Sequence, residues 1–208
     1  MIRAITVERE YGSGAAAIAK KLARWLGWEL WDEKLTEEIA RRLDCDKRAV
    51  EEHAERKDPM YYRLFKAFLR GSFEGTLNVP RLGMVDADCI RQVADQVVTM
   101  AAKTGNAVIV GRGSAYFLRE RADAFHVFIY APFEAKVRRL RAEGWTEKEA
   151  IELVETVDRD RAAYIKQYFD IEWPARHFFQ LMINSAIGEE VVVQTILDSI
   201  ARFERQSA

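Results

Sequence analysis

The sequence predicts an α/β fold, a doubly wound, mainly five-stranded parallel sheet with helices on both faces. Short apolar runs alternate with amphipathic helical patterns along the chain, the order expected of βαβ units and a parallel sheet. The strand-like runs are continuously apolar, as strands buried on both faces are. The first strand leads through a glycine turn straight into a helix, which places a candidate ligand site beyond the carboxyl edge of the sheet.

Each element has a local reason. Ile2–Val7 is apolar and β-branched, and the chain then turns at Tyr11-Gly12-Ser13-Gly14. Ile18, Leu22, Trp25 and Leu26 recur at helical spacing, and Gly27 closes that helix. Glu29–Trp31 reads as a second strand with Asp32 at its end. Helices are expected at Glu33–Leu43 and at about Lys47–Glu55, the latter capped by Asp46. Pro59–Val85 is rich in aromatics and glycines and reads as a helix followed by an irregular loop. Ile90, Val93, Val97 and Met100 mark one face of a helix over about Asp86–Thr104. Asn106–Val110 and Phe125–Tyr130 are strands, followed by Gly111-Arg112-Gly113 and Ala131-Pro132. Pro132 suits a first helical turn, and Glu134–Glu143 continues it. Thr146 and Glu149 form a capping box for a helix reaching Phe169. Leu181–Asn184 is the last strand and Glu189–Glu204 the last helix.

With 208 residues, the chain suits a single domain that buries a core without staples. Hydrophobic residues are 49% and charged residues 31%, which excludes a disordered chain. Lys plus Arg is 32 against 33 Asp plus Glu, a balance that argues against a nucleic-acid binder. Two cysteines, Cys45 and Cys89, form no metal-binding spacing and suit a reducing, cytoplasmic setting. No secretory signal is visible and no segment is apolar enough to span a bilayer.

Strand, Gly-Ser-Gly and helix together make a phosphate-binding arrangement, because glycines turn backbone N–H groups inward at a helix N-terminus. Aligned on the Walker A pattern G-x-x-x-x-G-K-[ST], the loop keeps Gly14. Arg9 stands at the first glycine, Ala15 at the lysine and Ala16 at the magnesium-binding hydroxyl. A tight turn with no ligand satisfies the same residues. A Rossmann fingerprint does not fit, since Ala17 stands where its third glycine would be.

The wider pattern resembles the cytidylate kinase-like family, a divergent branch of the P-loop nucleoside monophosphate kinases. The resemblance rests on Ile5–Gly14 followed by Ile18–Ala23, on Trp31–Leu35, and on Val108–Gly113. It continues through Phe128–Pro132, Val157–Tyr164, Trp173 and Leu181–Ser185. The family also lacks the Walker lysine, but its usual Gly-Arg-Glu after the loop is Ala15-Ala16-Ala17 here.

The resemblance implies a P-loop kinase-like fold over 1–208, with a helical acceptor or insert region about 33–104 and a lid about 144–172. It implies ATP as donor, Mg2+, and CMP or dCMP as acceptor. Gly12, Ser13, Gly14, Ala15 and Ala16 would hold the donor phosphates. Arg9, Arg161 and then Arg159 would be the catalytic cations, because arginine can bridge two phosphate oxygens. Arg9 reads equally as a brace for Glu8, Glu10 or Asp32; by spacing alone Asp158–Arg161 reads as a solvated face, and the resemblance tips it toward the site. Gly111, Arg112, Gly113 and Asp32 would contact the acceptor, with Asp32 also able to cap the next helix. Asp158 or Asp32 is the candidate near magnesium. Arg138, Arg139 and Arg141 read mainly as surface, with one member available to the donor.

Two other roles fit the residues. One is a nucleotide-binding or regulatory protein of weakened activity, suggested by Ala15–Ala17. The other is a homodimer surface on Tyr61–Phe73, a segment equally suited to packing or to a mobile acceptor lid.

Overall fold

A computed structural model describes residues 1–50 and 87–206. The part of the helix expected at about Lys47–Glu55 that follows Val50, the aromatic segment Pro59–Val85 and the dimer surface on Tyr61–Phe73 lie outside the described residues. The fold is the expected α/β arrangement.

Five strands form one sheet: β1 (Ala4–Arg9), β2 (Glu29–Trp31), β3 (Ala107–Val110), β4 (Ala124–Tyr130) and β5 (Leu181–Asn184). Their order is β2-β3-β1-β4-β5, and each pairing is parallel. The first strand is therefore central, with Ile5 opposite Val108 on one side and Phe125 on the other. Parallel neighbours need crossovers, and helices supply them: α1 (Ala15–Leu26), α2 (Glu33–Val50), α3 (Ala87–Thr104), α4 (Ser114–Phe117), α5 (Phe133–Ala142) and α6 (Glu147–Phe169); α7 (Glu189–Gln206) follows β5.

The strands sort their side chains by alternation. Ile5 and Val7 face a core made with Ile18 and Leu22 of α1 and Val192, Ile196 and Ile200 of α7. Ala4 and Phe128 face the opposite core, built from Leu35 and Ile39 of α2, Val97 and Val98 of α3, Tyr116 and Tyr164. A third, smaller core joins the α5–α6 hairpin to the turn after β1: Tyr11 packs with Val137, Leu140, Ala150, Val154 and Val157. Each core is sequestered from water, worth about 25 cal/mol per Å² of apolar surface removed.

Three local expectations change. The first strand starts at Ala4 and runs on to Arg9, because Glu8 and Arg9 pair in register with Phe128 and Ile129. Arg9 is thus a strand residue, not a loop residue. No new helix begins at Asp46, since α2 continues unbroken from Glu33 to Val50, a stretch with no glycine or proline to stop it. A short helix, Ser114–Phe117, follows the Gly-Arg-Gly turn where none was expected. The Thr146 capping box forms as read: its hydroxyl accepts the Glu149 N–H at 3.3 Å, and its own N–H donates to the Glu149 carboxylate at 2.9 Å.

Candidate active site

Two cavities meet at the carboxyl end of β1. The first, about 480 Å³, lies over the turn Glu10–Gly14 and is lined by Gly12–Ala17 together with Arg9, Arg139, Arg161, Glu143 and Glu189. Gly12 and Gly14 both have positive φ, 72° and 74°, which a side chain would strain. A methyl group on Gly12 would also lie 3.1 Å from Lys136 Cβ. Gly14 caps α1 with no side-chain bond to the helix, so the first-turn N–H groups at Ala15–Ala17 are left to a ligand or water. Ser13 is buried, its carbonyl accepting the Ser185 hydroxyl at 2.6 Å, while its own hydroxyl has no partner.

Arg139 of α5 holds this turn from outside. It donates to the Gly12 carbonyl at 3.2 Å and to the Ser185 carbonyl at 3.3 Å, bridging the loop after β1 to the end of β5. Its guanidinium packs against Gly14, with Nε 3.1 Å from where a Cβ would sit. One turn earlier, Lys136 is buried against Gly12 and places its ammonium 3.0 Å from Glu10 and 3.6 Å from Asp158. Asp158 of α6 in turn accepts the Tyr11 backbone N–H at 2.8 Å and Arg161 Nη1 at 3.1 Å. Burial pushes its carboxyl pKa up, while Arg161, the Tyr11 N–H and Lys136 pull it back.

The second cavity is far smaller, about 30 Å³, and shares Arg9 and Arg161 with the first. Glu8, Arg9, Arg112, Gly113, Arg161, Tyr164, Ile165 and Trp173 line it. Gly111, Arg112 and Gly113 are three consecutive left-handed residues, with φ of 65°, 55° and 70°. The tight turn returns the chain against β1, and Gly111 is needed because a methyl group there would overlap the Arg9 guanidinium. Arg112 is buried, its Nη1 donating to Asp32 at 2.9 Å and to the Val110 carbonyl at 3.1 Å, and its Nη2 to the Thr36 hydroxyl. Arg161 Nη1 donates to the Arg9 carbonyl at 3.0 Å, and its guanidinium lies 5.8 Å from the centre of the Tyr11 ring.

Arg9 differs from both. It is 5% exposed, and its Nε has no hydrogen-bond partner. Burial, then Arg161 and Arg112, push its pKa down, and Asp32 and Glu8 offset part of that. A buried cation lacking acceptors is costly, and such groups concentrate where ligands bind.

The sequence-derived residues divide accordingly. Gly12, Ser13, Gly14, Ala15 and Ala16 line the first cavity, Arg112 and Gly113 the second, and Arg9 and Arg161 both. Gly111 packs on Arg9, and Asp32 holds Arg112 rather than lining either cavity. Arg159 is not brought to the site, since it lies on the exposed face of α6 while Asp158 and Arg161 turn inward. Glu8 had no sequence signal beyond its place at a strand end. Lys136 and Arg139 did have one, being three apart on a helix and so on one face.

A model of the cytidylate kinase-like family matches residues 4–187. The chain belongs to the cytidylate kinase-like family. No functionally curated protein matches the sequence. Among solved structures, an uncharacterized protein from Eubacterium ventriosum is similar over 97% of this chain and 99% of its own, with TM-score 0.68 and 20% identity. Shikimate kinase from Bacteroides thetaiotaomicron is similar over 97% and 99%, with TM-score 0.55 and 17% identity. Shikimate kinase from Acinetobacter baumannii, solved with shikimate, is similar over 97% and 94%, with TM-score 0.53 and 17% identity. These likenesses establish the P-loop kinase fold.

For this family member, the turn after β1 fits a nucleotide's phosphates: inward N–H groups, an unpartnered Ser13 hydroxyl and the Arg139 guanidinium surround one cavity. The described side chains do not fit magnesium as direct ligands. Ala16 offers no oxygen, Asp32 and Asp158 are held by guanidiniums, and no group of three or more ligating side chains occurs among the described residues. No helix among them is long and apolar enough to cross a membrane.

Proposed function

We propose that the protein is an ATP-dependent nucleoside monophosphate kinase that transfers a phosphoryl group to CMP or dCMP. The observation that carries this reading is that Arg9 and Arg161 line both cavities. A phosphoryl group moving from a donor over the turn to an acceptor on the Arg112 side would pass these two guanidiniums. Phosphoryl transfer depends mainly on positioning and on stabilising spread negative charge, which is what two such cations supply.

In this reading the backbone of Gly12–Ala16 holds the donor phosphates, and Arg139 is the nearby cation where Ala15 replaces lysine. ATP supplies the terminal phosphoanhydride whose cleavage releases the phosphoryl group. Arg112, fixed by Asp32 and flanked by Gly111 and Gly113, shapes the acceptor side. Residues 144–172 act as the lid that presents Arg161, residues 33–104 as the acceptor region, and the whole chain as one cytoplasmic domain. Magnesium would arrive on the nucleotide's own oxygens.

A nucleotide-binding or regulatory protein with little turnover is the second reading, favoured by Ala15–Ala17, where no charged side chain reaches the first cavity from the start of α1. Labelled ATP with magnesium and a panel of CMP, dCMP, UMP and AMP separates the two. Saturable transfer to CMP or dCMP supports the kinase. Binding of ATP with no transfer to any acceptor supports the second reading and ends the first.

A further inference from the structure

Lys136 stands between two carboxylates that belong to different parts of the fold. Its ammonium lies 3.0 Å from Glu10, in the turn after β1, and 3.6 Å from Asp158 Oδ2, on α6. The side chains of Lys136 and Asp158 are only 10% and 15% exposed. Glu10 also accepts the Ala131 N–H at 3.3 Å, which ties the turn to the segment leading into α5. Asp158 Oδ1 accepts both the Tyr11 N–H, at 2.8 Å, and Arg161 Nη1, at 3.1 Å. Close packing fixes the stem of Lys136, since a methyl group on Gly12 would lie 3.1 Å from its Cβ. Lys136 itself lines neither cavity.

We propose that Lys136 is a positioning residue for Arg161. Set between Glu10 and Asp158, it keeps Asp158 a charged anchor, and that anchor holds the Arg161 guanidinium 3.0 Å from the Arg9 carbonyl, where both cavities reach it. The proposal rests on the phosphotransfer reading only for its effect on turnover.

The balance of charge explains why a cation is needed there. Without Lys136, two carboxylates sheltered from water face each other, and such a pair relieves itself by taking up a proton. A protonated Asp158 can still accept the Tyr11 N–H but no longer attracts Arg161 as an ion. Burial pushes the Asp158 carboxyl pKa up; Arg161 on its own helix, the Tyr11 N–H of the turn and Lys136 of α5 pull it down, and Glu10 of the turn pushes it up again. Lys136 thus works against both burial and Glu10.

NMR of the full chain without nucleotide, between about pH 4 and 8.5, tests the proposal. Labelled arginine reports whether the Arg161 guanidinium is held, with Arg161→Lys identifying its signals, and labelled aspartate follows the Asp158 carboxyl. In the wild type, release of Arg161 and protonation of Asp158 should share one midpoint. In Lys136→Gln, whose amide donates without a charge, both should move together to higher pH by about one unit or more. Glu10→Gln removes the charge that opposes Lys136 and should move both to lower pH, a shift that remains readable should Lys136→Gln not fold. Under the kinase reading, Lys136→Gln should also lower kcat about tenfold at pH 6 and less than about twofold at pH 8.5. An Arg161 held alike in Lys136→Gln and wild type across the range overturns the proposal. So does one released equally at every pH, the mark of a damaged fold rather than a lost charge, or a Glu10→Gln midpoint that moves upward or not at all. A wild type that phosphorylates no acceptor ends the kinase reading alone, because the NMR result needs no turnover.

Discussion

The two cavities that share Arg9 and Arg161 are built from different material. The first is walled largely by main chain, with its shape set by Gly12, Gly14 and the start of α1. The second is walled by buried charged side chains, Glu8, Arg9 and Arg112, each placed by a different contact. A backbone cradle survives changes of side chain, which is how Ala15–Ala17 can replace charged residues while the turn keeps its geometry. A side-chain constellation has no such tolerance, because removing one member strands another.

Replacing Arg9 tests the shared wall. Arg9→Met should lower kcat/KM for phosphoryl transfer by about a thousandfold. Its thermal midpoint should be unchanged or higher, because the substitution removes a buried cation that lacks acceptors. Steady-state kinetics and a melting curve on one preparation check both halves, and a large fall in the midpoint would make Arg9 a structural brace instead. Arg112→Met probes the second cavity's own framework. It leaves Asp32 facing an apolar group and should cost about 3 kcal/mol of stability in denaturant unfolding. A neutral result would mean that the cavity is not held together by its ion pair.

Acid sensitivity should come from neither cavity. His126, 3% exposed and bonded through Nδ1 to the Thr6 hydroxyl at 2.7 Å, has its pKa lowered from 6.5 to about 4 by burial. The unfolded chain therefore takes up a proton on this ring at a pH where the folded chain does not. The stability His126 contributes is complete above pH 6.5 and is lost as pH falls toward 4. The loss should reach roughly 2–3 kcal/mol by about pH 4.5. Unfolding curves across that range should show it in the wild type and in Glu8→Gln alike, and should show it diminished in His126→Gln.

Restoring side chains to the backbone cradle should have a smaller effect. Ala15→Lys with Ala16→Ser should raise transfer about tenfold if the cradle is intact, and no change in kcat would place the limitation elsewhere. Arg159→Ala, on the outer face of α6, should alter kcat/KM by less than about twofold. A larger loss would bring that residue into the site.

The same contrast explains what the sequence reveals. The five strands, the phosphate turn and the Gly-Arg-Gly corner are local patterns, legible from apolar runs and glycines because each is fixed by its own few residues. Arg139 on the Gly12 carbonyl, Asp158 on the Tyr11 N–H and Arg161 on the Arg9 carbonyl are contacts between residues more than a hundred positions apart. No local period encodes them. The end of β1 is hidden in the sequence for the same reason. Glu8 and Arg9 look like loop residues by polarity, and only pairing with Phe128 and Ile129 holds them in the sheet. Arg159 and Arg161 look equivalent in sequence, yet two positions along a helix turn one inward and the other to solvent.

Tyr11 belongs to the turn and to the hairpin at once: its ring lies in the hairpin's small core and its N–H is held by Asp158 of α6. Any opening of the hairpin would cost that amide its acceptor and its shelter in one step. Its hydrogen-exchange rate is therefore a clock for the hairpin, readable at a single backbone position. Any molecule that holds the hairpin down will slow the clock in proportion to how firmly it does so.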